Sequence, residues 1–142
     1  MKKHKGQVIV EFALILPFFL LMLYGIIYSG MMFHDYSTLS NIARASAREA
    51  AISGAPLDSA TNRYKTVEDN YKSQIESLLT SFYVVQDKNN PIIIEPATED
   101  SIRSTIIMKV NVSGYFLDMI LPPTFGVQYY MRKEPTGSSS SG

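Results

Sequence analysis

From Phe12 to Phe33 the chain reads FALILPFFLLMLYGIIYSGMMF, 22 positions without a charge, with apolar residues on every side of the helix such a run would form. At roughly 1.5 Å per residue its length matches a hydrocarbon core about 30 Å thick. The pattern predicts a membrane-spanning helix; helices in soluble cores seldom run this long without a polar face. A secretory signal peptide is the competing reading. Its apolar region would be shorter and would lead to small residues at a cleavage site. Met31, Met32 and Phe33 are bulky there, although Tyr28-Ser29-Gly30 lies just before them.

Helical spacing continues past the apolar run. Leu39, Ile42, Ala43, Ala47, Ala50 and Ala51 recur at threes and fours, and nothing breaks the pattern before Gly54 and Pro56, residues suited to ending a helix. One helix over 7–54 is expected, with 12–33 in the membrane and the remainder outside. Its alanine-rich section offers a smooth seam to a partner, to the chain's own external domain, or to each at different faces. A second helical pattern follows, with Leu57, Ala60, Tyr64, Val67, Tyr71, Ile75 and Leu78 on one side and Asp58 or Ser59 as its cap. The period then shifts to alternation: strands are expected at 82–86, 92–94, 102–112 and 127–132, with a turn at Asp87-Lys88-Asn89-Asn90-Pro91. Residues 55–134 are thus an external α+β domain, a helix and a small antiparallel sheet packed with the long helix. The closing GSSSSG, within a tail at 135–142, has no means of forming a core and reads as a flexible or expression-derived end.

Charge sets the direction. Lys2, Lys3 and Lys5 precede the span and the first lysine or arginine after it is Arg44, which puts the N-terminus in the cytoplasm and the domain outside. Tyr24, Tyr28, Phe33 and Tyr36 gather toward the outer end, where amphipathic rings favour the headgroup layer. His34-Asp35 reads as a polar pair at that interface. Pro17 lacks the amide that would bond the Ala13 carbonyl, so a helix bend is expected there, and Gly25 and Gly30 leave room for a close neighbour. With 13 basic and 13 acidic residues there is no basic field for nucleic acid. The absence of cysteine excludes disulfides and thiol chemistry.

Catalysis has little to work with. His4 and His34 are the only histidines and are expected on opposite sides of the membrane, so neither a metal site nor a Ser-His-Asp arrangement can be assembled. No catalytic residue, metal, cofactor or small-molecule substrate is expected. Glu95, Glu99 and Asp100 are the nearest thing to an acidic cluster, and with Pro96 among them they read as a solvated loop. Asn111-Val112-Ser113 fits a glycosylation sequon but falls in an expected strand.

Glu11 remains. An ionised carboxylate costs of order 2.5 kcal/mol or more at the bilayer centre, and less near the interface. Glu11 can lie in the cytoplasmic headgroup layer and suit the helix dipole, or it can face a partner. If a peptidase cut after Gly6, Gln7 would become an N-terminus carrying an ammonium group. In a bundle of such helices that group on one subunit could neutralise Glu11 of the next and fix their stagger. Taking Lys2, Lys3 and Lys5 from the 13 basic residues would leave 10 against 13 acidic ones, a formal side-chain balance of −3.

KGQVIVEFALILPFFLLMLYGII, NIARASAREAA and the ending Met131-Arg132-Lys133-Glu134 resemble the TadE-like family of the Flp-type tight adherence pilus system. Its members are small membrane-anchored pseudopilins or minor pilins. The resemblance implies a pilin-like fold, cleavage between Gly6 and Gln7 by a prepilin peptidase, and an assembly role for Glu11 and Phe12. It also implies a bacterial inner membrane location, incorporation into a surface pilus for some members, and other pilins and assembly proteins as partners. Phe12 stands where the major Flp pilins carry tyrosine, which fits the TadE branch, and the external domain is too large for a major subunit. The alternative from the residues alone is an uncleaved single-pass anchor holding an external binding module.

Overall fold

A 50-residue helix, α1 (Lys3–Ile52), joins the apolar run and the alanine-rich section without a break. The structure, a computed structural model, describes residues 3–80, 82–111 and 122–133. These divide into two compact units, the first ending at His34 and the second beginning at Asp35. The expected strand position Val112, the sequon at Ser113 and the GSSSSG tail lie outside the described residues.

In the first unit every residue from Gly6 to Ile27 is exposed, large apolar side chains included: Leu14 is 77% and Phe18 74% accessible. A core helix would bury such groups, each worth about 1.5–3 kcal/mol. The helix is long and apolar enough to cross a membrane, and its apolar window is not buried within the chain.

In the second unit α1 from Asp35 onward is one wall of an α+β core. Leu39, Ile42, Ala43, Ala47 and Ala50 are buried, so at least one face of the alanine-rich seam serves the chain's own domain. α2 (Lys65–Leu78) adds Val67 and Ile75. The antiparallel sheet comprises β1 (Tyr83–Val85), β2 (Ile93–Thr98), β3 (Ser101–Val110) and β4 (Thr124–Arg132). Its centre is β3, whose alternation places Ile102, Ser104, Ile106 and Met108 fully inside while Ile107 stays exposed. β4 pairs with β3 from Ser101 to Lys109. β2 pairs with Ser101–Thr105 and β1 with Met108–Val110. A strand has two edges, so β1 and β2 share one edge of β3 end to end.

Polar contacts fix this packing. Ser46 on α1 and Ser104 on β3 are both fully buried, with their oxygens 2.9 Å apart. Ser46 donates its single hydroxyl proton to the Ala43 carbonyl at 3.1 Å, which leaves Ser104 as donor across the interface. Arg63 and Glu68 form a two-pronged pair at 2.8 Å for each bond. Glu68 also accepts the Ile94 amide at 2.7 Å, tying α2 to β2.

Three sequence expectations need correction. The second helix starts at Lys65, not near Asp58 or Ser59. Asp58 accepts the Thr61 hydroxyl and the Lys65 ammonium, its backbone pairs with Arg63, and Asn62 takes a left-handed φ of 54°. Local side-chain bonds of this kind compete with helix formation. Glu95 and Pro96 lie in β2, not in a solvated loop. Glu95 meets Arg103 across the strands, and the register shifts between Pro96 and Thr98, a bulge on a strand paired to β3 alone that tolerates proline. Asp35 is fully buried and accepts the Thr80 amide at 3.0 Å and the Thr80 hydroxyl, so it is part of the domain core and not a membrane-interface group.

Candidate functional site

Gly6, Gln7, Glu11, Phe12 and Pro17 all lie in α1 and all are exposed. At 3.6 residues per turn, Gln7, Glu11, Leu14 and Phe18 follow one another along one stripe of the helix, with Phe12 about 100° round from Glu11. A carboxylate is thus set into an otherwise greasy surface one turn beyond Gln7. Arg63–Glu68, Lys65–Asp58 and Arg103–Glu95 form salt bridges among the described residues, and none of these reaches Glu11. In hydrocarbon that arrangement favours any neighbour bringing a positive charge to the stripe.

A Cβ added to Gly6 would meet nothing within 4 Å, and the same holds at Gly25 and Gly30. Within the chain's own fold, therefore, no close contact calls for glycine at these positions. Pro17 sits inside the helix and cannot donate the i to i−4 bond there.

Among the described residues of the second unit, no group of three or more His, Asp or Glu side chains could hold a metal ion. Glu95 is engaged by Arg103, while the carbonyls of Glu99 and Asp100 accept the Lys133 side chain and amide. Glu49 accepts from Asn70 at 3.1 Å and from the Tyr71 hydroxyl at 2.8 Å. Burial and that carboxylate push the Tyr71 phenol up to about 12. Burial, and next the negative charge of Asp35, raise Tyr83. Arg44 lies over the Tyr129 ring, 5.3 Å from its centroid. The Glu49 bonds fasten α1 to α2, and the Arg44 contact fastens α1 to β4. Sequence reasoning assigned Asp35 to the wrong place and missed the Ser46–Ser104 pair and the bond from Ile94 to Glu68, because Thr80, Ser104 and Ile94 are remote in the chain from the groups they meet; a charged residue on an apolar helical stripe, as at Glu68 with Arg63 five residues before it, is the one signal available.

No curated protein and no solved structure matches the chain. The model of the TadE-like protein family matches residues 6–48, under a third of the chain, and ends inside the alanine-rich section of α1. That stretch holds Gly6, Gln7, Glu11, Phe12 and Pro17, and over it the chain is similar to that family.

Proposed function

We propose that this protein is a minor pilin or pseudopilin-like structural component of a tight adherence pilus, cut by a prepilin peptidase between Gly6 and Gln7. Its α1 helix packs with neighbouring pilins through the stripe bearing Glu11 and, on the adjoining flank, Phe12. The α+β domain stands on the extracytoplasmic side. The observation that carries this reading is Glu11, an exposed carboxylate on an apolar helix within the TadE-like stretch. The ammonium that cutting creates at Gln7 of a neighbour supplies its counter-charge, each group reducing the cost of desolvating the other. A bend at Pro17 lets the helix follow its neighbours in the bundle. No catalysis enters this role.

Mass spectrometry of membranes and sheared pili from the native host tests it. The mature chain should begin at Gln7, and Glu11→Ala should leave insertion intact while reducing co-purification with other pilins. Chains that keep Lys2 and Lys3 in cells containing the peptidase would instead make this an uncut anchor for a binding module. Undiminished co-purification of Glu11→Ala would remove the carboxylate from assembly.

A further inference from the structure

The bond between Gly6 and Gln7 lies inside α1, which begins at Lys3. Helix geometry bonds the Gly6 carbonyl to the Val10 amide and the Gln7 amide to the Lys3 carbonyl, so both sides of the bond are tied into the ladder. Hydrolysis adds water across it, giving a Gly6 carboxylate and a Gln7 ammonium group. On the way the carbonyl carbon becomes tetrahedral and the planar peptide unit is lost. A helical turn holds that carbon between its neighbours and cannot present it to a nucleophile, so the turn must open first.

Glycine has no role in the closed turn. Its φ is not in the left-handed region and open space surrounds its missing side chain. What glycine does at position 6 is weaken the helix, because it loses the most backbone freedom on ordering. We propose, resting on the processing reading above, that Gly6 sets how often the first turns of α1 open, and that this local unwinding limits the rate of cutting. Gly6 is then a specificity determinant read through helix stability.

The test uses the full chain in bilayers with its membrane peptidase, comparing initial cutting rates by mass spectrometry with amide exchange at Val10. Gly6→Ala should slow cutting about fivefold, the equivalent of about 1 kcal/mol, and slow exchange at Val10 by a similar factor. Moving the glycine back one position, Lys5→Gly with Gly6→Ala, should restore both to within about twofold of the parent. Lys5→Ala with Gly6→Ala, which removes the same charge but keeps the helix firm, should not. Parental cutting of Gly6→Ala would overturn the inference. So would a Gly6→Ala chain that stays uncut with glycine at position 5, since the methyl group would then be excluded by shape. A parent chain left whole by an active peptidase would remove the processing reading itself, and this inference with it.

Discussion

Replacing Glu68 by alanine should be among the most costly single changes in the external domain. The side chains of Arg63 and Glu68 are only 15% and 9% accessible, so solvent screens the pair little. Three hydrogen bonds end on the carboxylate, two from Arg63 and one from the Ile94 amide. Removing one partner of a buried pair costs about 3–5 kcal/mol. Arg63 would keep the Ile92 carbonyl at 3.1 Å and the Asn90 side chain at 3.0 Å, which places the expected loss near the lower end, about 3 kcal/mol. Urea unfolding of the full chain in detergent, followed by near-ultraviolet dichroism of its 9 tyrosines, should show a midpoint lowered by about 1–3 M. Arg63→Met combined with Glu68→Leu should lose less than the sum of the single changes by at least about 1 kcal/mol, because no charge is then stranded. A Glu68→Ala loss under about 1 kcal/mol, or a strictly additive double variant, would refute the assignment of this pair as the link between α2 and β2.

The buried serines should respond asymmetrically in the same unfolding assay. Ser46→Ala strands the Ser104 hydroxyl and should cost about 1–3 kcal/mol, whereas Ser104→Ala leaves Ser46 bonded to the Ala43 carbonyl and should cost under about 1 kcal/mol; equal losses would contradict the donor order. Asp58 is held down to about 2 by hydrogen bonds from Thr61 and Lys65. A carboxyl depressed in the folded state adds stability above its unfolded value near 4, and that stability disappears as pH falls through the folded value. Unfolding midpoints measured from pH 5 to pH 2 should therefore fall less steeply for Asp58→Asn than for the parent, and parallel profiles would count against the turn at 58–63.

The elements carried by uninterrupted periodicity were legible from the chain. The apolar run and the alanine spacing lead to α1, and alternation at Ile102, Ile106 and Met108 leads to β3. Errors arose where short-range polar chemistry overrides a weak period. Leu57 and Ala60 continue the helical spacing of α2, yet Asp58, Thr61 and Asn62 close a turn instead. Pro96 hides the second half of β2 because proline signals a loop unless the strand edge is known to be free. The end-to-end sharing of β3 could not be read at all, since pairing between segments depends on distances across the fold and no local pattern encodes them. For the candidate site, Glu11 stands out in sequence because an ionisable residue in an apolar run is conspicuous. What the sequence could not supply is that glycine at position 6 meets no neighbour.

The placement of β3 also dictates an order in time. β1 and β2 hydrogen-bond to β3 and not to each other, and β3 begins at Ser101 in a chain of 142 residues. Until β3 has been made, neither earlier strand has a strand to pair with. At about 5–20 residues per second the interval between the end of β1 and the arrival of β3 lasts on the order of a second. During that interval Tyr83, Val85, Ile92 and Ile94, all destined for the core, stand open to any chaperone or membrane surface nearby, and the sheet closes only once β3 and then β4 have emerged.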